Sequence, residues 1–198
     1  LGSATFAIAG VPDLQLSSAT GPAEACVLYN LPNADGASFD EAVAVVAFVP
    51  VDATIGLTLI DGLTAVIPNY PFEDLHLESS DGGLVACPGG TTADADTDAA
   101  GYTQWQTPLA ASGATSSTAD LTVVMVNGAA LTSNGGLPIA HNSADITKDG
   151  EVNLSDVIEF AGDFYGGSYV FRSDFAFDGI LNLSDIIKLA QGMGAQCP

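Results

Sequence analysis

Basic side chains are almost missing from this sequence. Against 24 acidic residues stand only three basic ones, Lys148, Arg172 and Lys188, and residues 1–144 contain no Lys or Arg at all. A polyphosphate partner needs cationic groups whose counterion release drives association, so nucleic acid and anionic membrane surfaces are poor partners. Divalent cations suit such a chain. Most of the acids before Asp145 read as a solvated surface that keeps an exported protein soluble.

Cysteine is scarce too. Cys26, Cys87 and Cys197 allow one bridge and leave one thiol, too few for a disulfide scaffold or a Cys-based zinc site. The expected pairing is Cys26–Cys87, with Cys197 free or linked to another chain; a Cys87–Cys197 bridge is the open alternative. No apolar run approaches the roughly 18 residues of a membrane-spanning helix. Catalytic signatures are also lacking. The single Trp makes a weak carbohydrate platform, no paired acid/base carboxylates stand out, and neither His76 nor His141 has a recognisable nucleophile beside it, so the chain is expected not to be an enzyme. His76 reads as an exposed strand histidine and His141 as a solvated linker residue.

Short apolar runs separated by turn residues are present throughout, with 22 Gly and 10 Pro, and they imply a mainly β chain. Between Val11 and Ser133 the runs DLQLSS, ACVLYNL, AVAVVAFV, ATIGLTLI, DLHLES, YTQWQT and DLTVVMVN alternate with clusters such as Asp61-Gly62 and Asp81-Gly82-Gly83. Strands at this spacing suggest a sandwich. From Ala53 to Gly113 the order of elements, ATIGLTLIDG, DLHLESSDGGLV and then the Thr/Asp-rich turn TTADADTDAAG before the next strand, resembles bacterial Ig-like repeats of the invasin and intimin kind. That resemblance implies a rigid spacer or adhesive module. Asp94, Asp96 and Asp98 in the turn imitate the start of a calcium loop, but Gly101 comes two positions too late, so they are expected to form a solvated turn.

At the start, LGSATFAIAG reads either as the tail of a signal peptide, with an Ala7-Ile8-Ala9 cleavage pattern, or as a retained strand alternating Phe6 and Ile8. A retained strand could pair with a sheet edge of its own chain or of a neighbouring subunit. The expected organisation is an N-terminal strand or remnant at 1–10, a sandwich at 11–133, a linker at 134–142 (the aperiodic TSNGGLPIAHN region) and a calcium-binding module at 143–198.

That module carries an internal repeat. DITKDGEVNLSDVIEFAGDF from Asp145 recurs as DFAFDGILNLSDIIKLAQGM from Asp174, 29 residues on. Calcium prefers six to eight oxygens, and an EF-hand-like loop supplies them from positions 1, 3, 5, 7, 9 and 12 around a turn-making Gly at position 6. In the first copy the ligands would be Asp145, Thr147, Asp149, the Glu151 carbonyl, Asn153 and Asp156, with Gly150 at the turn. In the second they would be Asp174, Asp178, the Ile180 carbonyl, Asn182 and Asp185, with Gly179 at the turn; Ala176 offers no third-position ligand. Val152 and Leu181 would pair the loops back to back. Leu154, Val157, Ile158, Ala161 and Phe164, like Leu183, Ile186, Ile187, Ala190 and Met193, fall on one helical stripe, and the two stripes would meet.

Loop followed directly by helix, twice, with Asp at position 12, resembles a type I dockerin. The resemblance implies a small α-helical domain with two EF-hand-like Ca2+ sites after the β-sandwich, and a partner that is a cohesin-like domain. Since the fused sandwich has no catalytic residues, the expected function is a non-catalytic extracellular or cell-surface structural protein that assembles with other copies of itself. The alternative is a module that docks the Ig-like domain onto a cohesin-bearing scaffold.

Overall fold

The computed structural model describes residues 10–116 and 121–198. The expected N-terminal strand at 1–9 lies outside the described residues. The strands are short: β1 Ser18–Thr20, β2 Cys26–Asn30, β3 Ala42–Ala44, β4 Pro50–Val51, β5 Ile55–Thr58, β6 Leu75–Ser79, β7 Val85–Ala86, β8 Tyr102–Trp105, β9 Ala111–Ser112, β10 Thr122–Val126, β11 Ala129–Ala130 and β12 Ile139–Ser143. Two helices follow, α1 at Leu154–Tyr165 and α2 at Leu183–Gly192.

These strands make several small sheets, ordered β1-β5-β8, β11-β10-β6, β12-β2-β3-β4 and β7-β9. Alternation explains the first two: Ile55 and Leu57 on β5, Leu75 and Leu77 on β6, Val124 and Val126 on β10 all point into one core with Phe39, Leu59 and Trp105. The indole N–H of Trp105 donates to the Thr91 carbonyl at 3.0 Å, so the buried ring keeps no unsatisfied donor.

The expected class, an Ig-like sandwich followed by a small α-helical dockerin-like domain with EF-hand-like loops, is corrected here. The fold is broadly β, and among the described residues no separate helical domain is evident. The segment expected as a linker supplies β12, which pairs in parallel with β2, Ile139 opposite Cys26 through Ser143 opposite Asn30. Parallel pairing also sets this sheet apart from an all-antiparallel Ig sandwich. Every residue of β2 is buried because both faces are covered. Cys26 and Leu28 face the first core, whereas Val27 and Tyr29 face a second one. That second core joins them to Ala140 of β12 and to Ile146, Val152, Phe160, Phe175, Phe177 and Leu189 from the C-terminal segment. The helices therefore pack on the far face of the sheet.

The helix faces differ from expectation for the same reason. Phe160 stacks 5.8 Å from Phe175, which meets Tyr29 edge-on at 6.0 Å, so the sheet recruits the rings. Leu189 and Gly192 are the apolar anchors of α2, while Leu154, Ile158, Leu183 and Ile187 stay exposed. Val152 does not pair with Leu181. Its N–H donates to Ala195 and its carbonyl accepts from Gly194, so the C-terminal tail runs antiparallel along the first loop.

The Cys26–Cys87 bridge is not formed. Cys87 bonds Cys197, closing a separation of 110 residues, and Cys26 remains a buried thiol pushed up to about 12 by burial and by Glu24. The register of β2 turns Cys26 into the first core; the tail, laid beside Gly150 by the Cys197 N–H, brings Cys197 to Cys87 instead.

Candidate functional site

The two repeat loops share most of their backbone-to-carboxylate hydrogen bonds. In the first, Asp145 Oδ2 accepts the Gly150 N–H at 2.8 Å and Oδ1 accepts from Lys148 and Asp149. In the second, Asp174 Oδ2 accepts the Gly179 N–H at 2.9 Å and Oδ1 accepts from Asp178. Asp156 takes the N–H groups of Thr147 and Asn153 at 2.9 and 2.8 Å; Asp185 takes those of Ala176 and Asn182 at the same two distances. Gly150 and Gly179 sit at φ of +86° and +81°, and the residues two before them, Lys148 and Phe177, also lie in the left-handed region. Such a turn favours glycine because a Cβ is strained there.

Each loop also starts a helix. Asn153 and Asn182 are N-caps whose side chains accept from Ser155 and Ser184, and Asp156 and Asp185 complete a capping box. The twelfth-position aspartates thus serve loop and helix at once. Asp145, Asp156 and Asp185 are wholly buried and Asp174 is nearly so, and none of the described ion pairs gives any of them a basic partner. Burying carboxylates is costly unless the charge is compensated. Backbone N–H groups compensate part of it, and burial still drives the Asp174 carboxyl above its ordinary value, with the Gly179 N–H and the Tyr169 hydroxyl pulling it back and Asp185 adding to the rise.

Three oxygens crowd together in the first loop. The Thr147 hydroxyl lies 3.3 Å from Asp145 Oδ1 and 3.0 Å from Asp156 Oδ1, yet it has one proton to share between two carboxylates. The fifth-position residues are exposed. Asp149 Oδ1 is held by the Glu151 N–H and Asp178 Oδ1 by the Ile180 N–H. Consequently, among the described residues no three Asp, Glu, His or Cys side chains converge as a metal-ligating group. Asn182 approaches Asp178 through its amide, at 2.8 Å. The oxygens that the loops offer are hard donors, the kind that calcium takes.

Residues outside the repeat hold the loops, and sequence reasoning missed them. Asn142 on β12 donates to the Phe171 and Asp174 carbonyls at 2.7 and 3.0 Å, fixing the start of the second loop. Arg172 clamps Asp163 and Glu159 of α1. Tyr169 donates from Oη to Asp174 Oδ2 at 3.0 Å. All three lie outside the repeated stretches that begin at Asp145 and Asp174, so the repeat frame does not mark them.

Elsewhere, Asp94, Asp96 and Asp98 each accept separate backbone groups, from Gln106, Phe72 and Tyr102 respectively, which is turn architecture. His141 is fully buried, contrary to a solvated linker residue. Asn30 Nδ2 lies 3.1 Å from its Nδ1, and Thr122 Oγ1 lies 2.8 Å from Nε2 while also donating to Ile139. This arrangement suits a neutral ring, and burial lowers its pKa to about 4 against an opposing pull from Asp81. No protein-family profile matches the chain, and no curated protein matches it either.

Proposed function

We propose that the protein is a non-catalytic, calcium-binding extracellular structural subunit that assembles with copies of itself. The observation that carries this reading is the pair of matched loops in which Asp145, Asp156, Asp174 and Asp185 are buried without a described basic partner. The first loop would hold Ca2+ through Asp145, Thr147, Asp149, the Glu151 carbonyl, Asn153 and Asp156, and the second through Asp174, Asp178, the Ile180 carbonyl, Asn182 and Asp185. Calcium supplies the positive charge that these carboxylates lack and couples their neutralisation to folding. A disulfide is at home in an oxidising, extracellular setting. With a net charge of −21, copies repel one another, so self-association would lean on bound cations.

A second reading is favoured by one observation. Leu154 and Ile158 on α1 and their repeat equivalents Leu183 and Ile187 on α2 are exposed, as contact residues for a separate cohesin-like partner would be. The test uses the whole oxidised chain, melted in calcium and in chelator, then sized by chromatography and electron microscopy. Calcium should raise the melting temperature, by an amount that grows with its concentration, and produce higher-order species. Identical melts in both buffers refute calcium binding. A strict monomer at every concentration in calcium refutes self-assembly.

A further inference from the structure

The two loops differ in where a hydroxyl reaches the first-position carboxylate. In the first, Thr147 at the third position brings its Oγ1 to 3.3 Å from Asp145. In the second, the third position is Ala176, which has no oxygen, and the hydroxyl comes from Tyr169, five residues before the loop begins, at 3.0 Å from Asp174 Oδ2. The chain is brought into place by Gly167, whose φ of +73° turns it out of the end of α1. Tyr169 is 53% exposed, so its ring is not needed to fill the core. Its hydroxyl is spent on a nearly buried carboxylate.

Resting on the calcium reading above, we propose that Tyr169 is a positioning residue for the second loop: by holding Asp174 Oδ2 beside the Gly179 N–H, it fixes the carboxylate that faces the cation and offsets the ligand lost at Ala176. A partner of this kind acts through the ligand, and removing one typically weakens metal binding by about 10- to 100-fold.

The experiment is a calorimetric Ca2+ titration of the full-length, disulfide-intact chain. Wild type should show two binding steps. Tyr169→Phe keeps the ring and removes only the hydroxyl; it should weaken one step by about tenfold or more and leave the other alone. Adding Ala176→Asn to Tyr169→Phe supplies a third-position oxygen and should restore the weakened step, a rescue that a packing role for the ring would not give. Melting in chelator checks that each variant is folded. Two unchanged steps in Tyr169→Phe overturn the inference while leaving calcium binding standing, and so does equal weakening of both steps or failure of Ala176→Asn to rescue. No calcium uptake by the wild type overturns both the inference and the reading beneath it.

Discussion

Reducing the Cys87–Cys197 bridge should lower the stability of this protein more than any single surface change. The bond closes a separation of 110 residues. In the chain-entropy treatment a ring of that size removes about 16 cal/mol/K from the unfolded ensemble, or about 5 kcal/mol at room temperature. For a chain of this size each kcal/mol moves the melting temperature by roughly 2–4 °C, so the loss should be about 10–20 °C. The assay is differential scanning calorimetry of the oxidised chain, of the same sample in a phosphine reductant, and of Cys197→Ser, all in one calcium concentration. Reductant and substitution should agree. Thiol titration of the unfolded, unreduced chain should find one free cysteine, Cys26. A shift below about 3 °C, or a second accessible thiol before reduction, would refute the reasoning.

Two more outcomes follow from the buried polar groups. His141 is held neutral in the fold with a pKa of about 4, below the roughly 6.5 of a free histidine, so between those values the unfolded chain binds the extra proton. Stability should therefore fall as pH drops from about 6.5 towards 4, by up to about 3 kcal/mol from this residue; denaturant melts of His141→Gln should lose that part of the slope, and an unaltered slope would count against it. Asp156→Asn leaves one side-chain oxygen where two backbone N–H groups and Thr147 now converge, and it should abolish one calorimetric calcium step while sparing the other; two intact steps would contradict the assignment of the first loop.

The strands whose alternation is local were legible in the sequence: β2, β5, β6, β8 and β10 fall inside the runs that suggest them. DLQLSS reads as a strand but begins as a turn, because Asp13 accepts the N–H groups of Gln15 and Leu16 and competes with the sheet. AVAVVAFV breaks after Ala44, where Phe48 takes a φ of +52° and the chain doubles back to β4. β12 was hidden most completely. His141, Asn142 and Ser143 look like loop residues, and only the pairing with β2 and the partners Thr122, Asn30 and Phe171 make them tolerable in a buried strand. The loop frame could be read because its residues are neighbours in sequence. Tyr169, Asn142 and Cys197 act on the loops from outside that frame, and nothing local marks them. The separate helical domain failed as an expectation for a related reason: an amphipathic stripe does not say what it packs on, and here Phe160 and Leu189 pack on the far face of β2 and β12 while Leu154, Ile158, Leu183 and Ile187 stay exposed.

The position of the disulfide has a mechanical consequence. Cys87 and Cys197 enclose both acidic loops, both helices and β8 to β12 within one covalent ring. Tension applied between the N-terminal side and any point beyond Cys197 passes directly from sulfur to sulfur and bypasses everything between them. The enclosed stretch, whose contour is about 380 Å when extended, is hidden length that cannot be drawn out while the bond holds. If the subunit bears load as the proposed function has it, the two acidic loops would be the part of the molecule that load does not reach.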